Sequence, residues 1–299
     1  MRPDAGILFA IAAFGLWGFF PVYWKLLLDV PPDQILAHRM VWSLAFLSLV
    51  LGFQRNWTWM RTLTLKVASL NLVGAIFLTS NWFAYIWAVN SGHVVETALG
   101  YFINPLVSVV LGALFLGERP RRLQWMAIGA AACGVLYLSL AHGTPPWIAL
   151  FLAGSFGIYG LIKKQAKLRA AEGLFLETGM IFLPALFYLV FLETNDQSIF
   201  GHADFQTNAL LMFSGVATAL PLLFFAEAAR RLTLTSLGIM QYLAPSIRFA
   251  LGVFLYKEPF TLQRFIGFGA IWAGVALYAV ELFLRRRQAM RLTRVLVEP

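Results

Sequence analysis

The chain has 299 residues, of which 60% are hydrophobic and 12% charged, and its mean hydropathy is +0.74. Soluble domains are about 45–50% apolar and about 25% charged, so this composition excludes an ordinary soluble protein and predicts one embedded in the lipid bilayer. The net charge of +9 does not indicate a nucleic-acid partner, because the basic residues lie between apolar segments.

Ten apolar segments follow one another, each about 17–25 residues long, which is the length a helix needs to cross a hydrocarbon core. The predicted spans are 6–28, 35–53, 67–89, 95–116, 123–141, 147–163, 174–193, 208–228, 236–256 and 262–284. The first could imitate a signal peptide, but bulky Trp17 and Phe19 stand where a small-residue cleavage site is needed, so we expect a retained helix. The fold class is an all-α polytopic membrane protein with ten transmembrane helices.

Basic residues concentrate in alternate loops. If both termini are cytoplasmic, the inside segments hold most of the 23 Lys and Arg residues, whereas the outside loop from Glu193 to Asp204 has acidic residues and no Lys or Arg. The inside residues include Arg119, Arg121, Arg122, Lys163, Lys164, Lys167, Arg169, Arg285, Arg286, Arg287, Arg291 and Arg294. This bias predicts a multi-pass protein with both termini in the cytoplasm.

One pattern occurs twice. Pro105, Gly112, Glu118, Gly129 and Gly134 are matched at a constant offset by Pro245, Gly252, Glu258, Gly269 and Gly274. We interpret this as an internal duplication of roughly 140 residues, with repeats at 1–142 and 143–285 and a basic tail at 286–299. Each repeat holds five spans, an odd number, so the second enters the membrane from the opposite side. Inverted repeats are typical of secondary transporters, whose substrate site lies between the repeats near the midplane.

An ordered set of motifs spans nearly the whole chain. It consists of Gly15-Leu16-Trp17-Gly18, His38-Arg39, Asn81-Trp82, Leu99-Gly100-Tyr101-Phe102-Ile103-Asn104-Pro105, and Gln241-Tyr242 with Pro245. In this set the chain resembles the drug/metabolite transporter superfamily, specifically its EamA-type members and the RarD-like permeases among them. The resemblance implies ten helices in two inverted five-helix repeats, a bacterial inner membrane and permease activity. Names in this family invoke chloramphenicol sensitivity without settling a substrate. The chain departs from the pattern at two positions. Arg248 stands where an apolar residue is expected, and Glu227 stands where a small residue is expected.

Pro105 and Pro245 fall in the middle of equivalent spans. A proline removes one backbone donor and clashes with the carbonyl four residues earlier. In lipid such a break needs protein or a water-filled cavity to satisfy the freed group. We therefore expect two kinked helices beside the transport pathway; kinks that only help packing are the alternative.

Polar and aromatic residues near these prolines predict a substrate cavity. They are Trp17, Asn81, Tyr85, Tyr101, Asn104, Gln241 and Tyr242. A few polar groups on an aromatic wall suit a small amphipathic ligand. For any single residue the alternative is an interhelical hydrogen bond, typically worth about 0.6 kcal/mol in a membrane protein.

Arg248 is predicted to lie near the middle of the ninth span. An arginine there costs at least ~2.5–3.5 kcal/mol, so it should face protein or water and pair with Glu227 or a backbone carbonyl. As a binding residue it would favour an anionic or carboxylate-bearing substrate. A structural ion pair is the alternative.

Lys25, His38 and Arg39 are expected near the outer ends of the first two spans, and Glu96 near the outer start of the fourth. This group suggests a cationic vestibule or gate, and side chains that snorkel to the interface are the alternative.

Glu118 and Glu258 each end a span, and we expect them to cap the helix that follows. The repeated glycines of the fifth and tenth spans should allow close helix contact, either between the repeats or in a homodimer.

The sequence favours a permease over other membrane proteins. It has no HExxH, paired-aspartate, G-x-S-x-G or phosphate-loop motif, which argues against an intramembrane lipid- or metabolite-modifying enzyme. A channel or scaffold is the other alternative, but the inverted duplication favours alternating access. Cys133 is the single cysteine and the four histidines are scattered, so no disulfide, metal or cofactor is expected. No carboxylate is predicted at a span centre, so the sequence does not favour proton coupling over exchange or facilitated diffusion.

Overall fold

The structure is a computed structural model that describes residues 3–55, 57–91, 94–140, 147–257 and 262–297. Within these residues all regular structure is helical. The α-helices are α1 (Pro3–Trp24), α2 (Pro32–Phe53), α3 (Leu65–Asn90), α4 (Val94–Phe115), α5 (Arg122–Leu140), α6 (Trp147–Gln165), α7 (Ala170–Thr194), α8 (Phe205–Arg231), α9 (Leu234–Gln241), α10 (Leu243–Ala250) and α11 (Leu262–Val297). Short 3₁₀ helices occupy Lys25–Leu27 and Thr58–Thr62, and a π-helical turn occupies Leu251–Leu255.

These helices form ten membrane spans. In the described part of the chain, eight stretches are long and apolar enough to cross a bilayer by length and composition, and shorter apolar stretches lie in α4 and α11, at Gly100–Phe115 and Phe265–Glu281. The predicted all-α, ten-span fold class is confirmed. The ninth span differs from the expected single helix, because α9, α10 and the π-helical turn share it.

The pattern of helix contacts stays the same when each of the first five spans (α1–α5) is exchanged with its equivalent among the second five. The second and seventh spans pack on each other, as do the fourth and ninth and the fifth and tenth. The remaining major contacts come in matched pairs. The contact of α4 with α6 matches that of the ninth span with α1, and the contact of α1 with α8 matches that of α6 with α3. The contact of α2 with α8 matches that of α7 with α3. This pattern is that of two five-helix repeats related by an axis in the membrane plane.

The ninth span breaks near its proline. α9 ends at Gln241 and α10 begins at Leu243, two residues before Pro245. Around Pro105, in contrast, α4 continues as one helix. The two proline regions meet, since a Cβ on Gly238 of α9 would lie 2.7 Å from the carbonyl oxygen of Pro105. The structure therefore places Pro105 at the contact between the repeats and interrupts the ninth span near Pro245.

The contact between α5 and α11 depends on glycine. A Cβ on Gly134 would lie 2.6 Å from the carbonyl oxygen of Gly267, and one on Gly274 would lie 2.5 Å from that of Ala127. Among the described residues, no atom lies within 4 Å of a Cβ added to Gly129 or Gly269. Two of the four predicted packing glycines thus join the repeats to each other.

We expect Gly134→Ala to destabilise the protein by about 1–3 kcal/mol, because the added methyl group must push two backbones apart. Gly129→Ala is the matched control, and it should be neutral or stabilise by up to about 1 kcal/mol through helix propensity. The melting temperature of the purified protein in detergent measures both. Equal shifts for the two variants would contradict this contact.

Candidate functional site

A cavity of about 260 Å³ opens between the first span and the ninth, so both repeats contribute to its wall. Its lining residues are Pro21, Lys25, Arg248, Phe249, Gly252, Val253 and Tyr256. The Nζ atom of Lys25 lies 3.2 Å from the centre of the Tyr256 ring. One predicted gate residue and one predicted substrate-binding residue therefore border the same space.

Arg248 lies on α10 and is held by the first repeat. Its Nε and Nη2 atoms donate to the carbonyl oxygen of Trp17, at 3.2 and 3.1 Å. Its guanidinium carbon lies 4.4 Å from the centre of the Tyr101 ring. The predicted carbonyl partner is therefore present. The alternative partner, Glu227, was wrong: it binds Arg231, one turn away on α8, at 2.5 Å, because residues four apart on a helix are neighbours.

Arg39 lies on α2, between two tryptophans. Its guanidinium carbon is 5.0 Å from the Trp24 ring centre and 4.7 Å from the Trp82 ring centre. Its Nε atom donates to Thr218 Oγ1 on α8 at 2.8 Å. Cation–π contacts and one hydrogen bond thus hold this guanidinium.

Two tyrosines connect the arginines. The rings of Tyr85 and Tyr101 are 6.1 Å apart. Both tyrosines lie close enough to Arg39 for its charge to affect their ionisation, and Tyr85 is also this close to Arg248. We call Arg39, Arg248, Tyr85 and Tyr101 the two-arginine site.

Within the described residues, the two-arginine site holds two positive charges and no negatively charged partner. In the described part of the chain, no carboxylate forms an ion pair with Arg39 or Arg248. A guanidinium has five N–H donors. The described hydrogen bonds use one donor of Arg39 and two of Arg248. The remaining donors and the net charge are what an anionic ligand needs.

Other predicted cavity residues lie in interhelical contacts instead. Asn81 donates to Leu152 O at 2.8 Å and to Ser155 Oγ at 2.9 Å, which links α3 to α6. The ring of Trp17 packs against Phe156 and Phe225, and only its carbonyl meets Arg248. For these side chains the packing role explains the observed contacts.

Asn104, Gln241 and Tyr242 lie at the contact of α4 with the ninth span. Gln241 Nε2 donates to Ser108 Oγ at 3.3 Å, and Tyr242 OH donates to Phe102 O at 3.2 Å. The buried side-chain oxygens of Asn104 and Gln241 accept no described hydrogen bond. This group lies beside the two prolines, at the contact between the repeats.

The predicted gate residues have different described contacts. His38 is buried, 4.9 Å from the ring of Phe200, and Arg39 belongs to the two-arginine site. Only Lys25 borders the cavity. The side chain of Glu96 lies outside the described residues.

The site residues that were not predicted include Trp24 and Thr218, which contact Arg39, and Tyr256, which contacts Lys25. Trp24 and Tyr256 stand at the ends of apolar runs beside basic residues, which was a usable signal. Thr218 had none, since it is a small polar residue inside an apolar span.

Glu118 caps a helix of the other repeat. Its carboxylate accepts from Leu234 N at 2.6 Å and from Thr235 N and Oγ1 at 2.9 and 2.7 Å. The predicted capping role is present, but on α9 rather than on the following helix α5, because the end of α4 packs beside the start of α9. Glu258, its repeat partner, lies outside the described residues.

We expect Glu118→Ala to lower stability by about 0.5–2 kcal/mol, the usual cost of losing a helix cap. Glu118→Gln keeps an oxygen acceptor and should cost less. Hydrogen exchange by mass spectrometry should show faster exchange at Leu234 and Thr235 in the alanine variant. Unchanged exchange there would mean that this contact does not protect the start of α9.

Comparison with known proteins decides the family. A model described as the EamA-like transporter family matches residues 4–140 and again residues 145–280. The chain belongs to the EamA-like transporter family. The resemblance to EamA-type, RarD-like permeases is confirmed, and the chain is a multi-pass membrane protein of a transporter family.

Individual relatives agree over nearly the whole length of this EamA-like chain. It is 45% identical over 290 residues to protein RarD of Streptomyces exfoliatus, covering 96% of this chain and 92% of the relative. It is 47% identical over 279 residues to the uncharacterized transporter YojE of Bacillus subtilis (strain 168), covering 91% and 93%. One crystal structure, 19% identical, covers 92% of this chain and 97% of its own with a TM-score of 0.68, which supports the fold.

Proposed function

We propose that this protein is a secondary carrier for small organic anions that contain an aromatic or other apolar group. The observation that supports this most is the two-arginine site, where Arg39 and Arg248 face Tyr85 and Tyr101 without a described carboxylate partner. The guanidinium groups would bind the anionic group, and the aromatic rings would contact the apolar part.

The carrier mechanism in this proposal is alternating access. Arg39 comes from the first repeat and Arg248 from the second, so a ligand that binds both would lie between the repeats. Rocking of one repeat against the other would expose that ligand to each side in turn. The proposal includes repeats at 1–142 and 143–285, a bacterial inner membrane and a cytoplasmic location for both termini, which the basic loops favour.

A binding panel tests the substrate class. Benzenesulfonate, which stays ionised, is compared with neutral benzamide, neutral chloramphenicol and cationic benzyltrimethylammonium in a thermal-shift assay without sulfate or phosphate. Ligands that bind the folded state raise the melting temperature by mass action. We expect a saturable shift for the anion alone. A shift for the cation or the neutral compounds, but not for benzenesulfonate, would overturn the anionic substrate class.

Counterflow in proteoliposomes tests the carrier mechanism. Vesicles loaded with unlabelled benzenesulfonate should transiently accumulate the labelled compound above its equilibrium level, because a carrier exchanges bound ligands across the membrane. A channel would give flux without this overshoot. Vesicles that contain the Arg248→Met variant serve as the control and should lose the overshoot.

A further inference from the structure

A second polar cluster lies on the membrane-spanning helices α6 and α7, where they pack against α3. Lys163 Nζ is 2.6 Å from Glu177 Oε1, and the two side chains are 3% and 1% exposed. Tyr159 OH donates to Glu177 Oε2 at 3.3 Å. We call Tyr159, Lys163 and Glu177 the buried triad. Lys163 was predicted to be the last residue of the sixth span, at its cytoplasmic end, but α6 continues to Gln165 and buries it.

Stability alone does not explain the buried triad. Removing two charges from water costs several kcal/mol per ion, and well-packed apolar residues of similar volume often replace a buried ion pair without loss. Ionisable residues inside membranes are rare, and many of them carry protons through pumps and transporters. A carboxylate held by a lysine and a phenol is chemically suited to take up and release a proton.

Neighbouring residues on two helices leave room for these polar groups. A Cβ on Gly74 of α3 would lie 3.0 Å from Glu177 Oε1, and a Cβ on Gly173 of α7 would lie 3.5 Å from Lys163 Nζ. Asn71 of α3 is buried, and its side-chain oxygen accepts no described hydrogen bond. A larger residue at Gly74 would displace the carboxylate, so the packing around Glu177 is matched to a polar group.

We propose that Glu177 binds and releases the proton that drives transport, with Lys163 as its counter-charge. This rests on the proposed carrier function. A proton adds to a carboxylate oxygen of Glu177, and the net charge of the triad rises from zero to +1. Lys163 then loses its anionic acceptor, so the link between α6 and α7 weakens. Release of the proton to the other side restores the ion pair.

Among the described residues, two side chains of α6 contact the Glu177 carboxylate. Lys163 acts on it through its charge and a hydrogen bond, and the neutral Tyr159 acts through a hydrogen bond. From α3 the neutral Asn71 lies nearby, and α2 meets α7 through the apolar Leu44, 3.9 Å from a Cβ on Gly179. Lys163 is therefore the charged group whose interactions change most when Glu177 is protonated.

Aromatic contacts connect the buried triad to the two-arginine site. The Tyr159 ring stacks on Phe225, with centres 6.0 Å apart and planes 12° apart. Phe225 contacts the Trp17 ring at 5.7 Å, and the Trp17 carbonyl holds Arg248. A movement of α6 that follows protonation would therefore reach the proposed substrate site through packed side chains.

Infrared difference spectroscopy tests proton binding without any substrate. Spectra of the detergent-purified protein are compared between about pH 5 and about pH 8, and the same difference is measured for Glu177→Gln. We expect a carboxylic-acid carbonyl band in the wild type that the variant lacks. Identical difference spectra would show that Glu177 does not exchange a proton in this range and would overturn the proposal.

Proteoliposomes then test coupling, with labelled benzenesulfonate as the probe. In the wild type, an imposed pH gradient should accelerate net flux severalfold. Glu177→Gln should retain counterflow but lose this acceleration. Counterflow with no response to the gradient in the wild type would overturn proton coupling while leaving the carrier function intact. Absence of counterflow in the wild type would instead count against the carrier function.

The double variant Lys163→Met/Glu177→Met separates a functional role from a structural one. It removes both charges and leaves no unpaired ion. We expect it to keep a melting temperature close to that of the wild type, to retain counterflow and to lose the gradient response. A double variant that still responds fully to the gradient would show that the triad only joins the helices.

Discussion

Replacing Arg248 by methionine is expected to abolish measurable transport of benzenesulfonate while leaving the amount of protein in the membrane unchanged. Truncating one partner of a buried, hydrogen-bonded charge pair costs about 2–5 kcal/mol. Since each 1.4 kcal/mol is tenfold in affinity, binding should weaken at least about thirtyfold. Thermal shift and counterflow measure the two effects separately.

Two matched variants control for this loss. Arg248→Lys keeps the charge but not the forked donors, so it should bind the anion more weakly than the wild type and more tightly than the methionine variant. Arg121→Met removes an exposed arginine outside the site and should change neither readout. Unchanged transport by the Arg248→Met variant would remove this residue from the substrate site.

The second large effect concerns Lys163. Its replacement by methionine alone leaves Glu177 as a buried carboxylate without its ion-pair partner, which is expected to destabilise the protein by about 3–5 kcal/mol. The double variant with Glu177→Met should recover most of that loss, because no charge remains buried. Melting temperatures of the three proteins in one detergent give the comparison.

The size of the recovery decides how Lys163 acts. If the single and double variants are destabilised equally, the lost contribution is the packing of the lysine stem rather than the charge. If the single variant is as stable as the wild type, either the carboxylate has become neutral or water has reached it. The infrared band of protonated Glu177 in the single variant distinguishes these two cases.

The sequence predicts the fold well because bilayer thickness fixes the length of each span. The ten apolar segments stand out for this reason, and the recurrence of Pro105 as Pro245 reveals the duplication. The recurrence of the proline does not predict which of the two helices is interrupted. Both prolines remove a backbone donor, yet only the ninth span is interrupted, since the outcome depends on the neighbours that satisfy the freed groups.

The sequence predicts the contacts between side chains of different helices less well than it predicts the fold. The sequence could state that Arg248 needs a partner, but the Trp17 carbonyl comes from a helix 231 positions away. Glu118 similarly caps α9 because α4 and α9 pack together. Lys163 was placed at the cytoplasmic end of the sixth span because a lysine at the end of an apolar run usually reaches water. Its pairing with Glu177 depends on how α6 packs against α7.

The central claim is that Arg39 and Arg248 hold one anion between the two repeats. Anomalous diffraction from crystals grown with para-bromobenzenesulfonate tests it most directly, because the bromine locates the ligand independently of the protein model. We predict a single strong peak within the aromatic surroundings of the two arginines, with the sulfonate oxygens against both guanidinium groups. A peak at the lipid-facing surface, or an empty site at saturating ligand, would contradict the account.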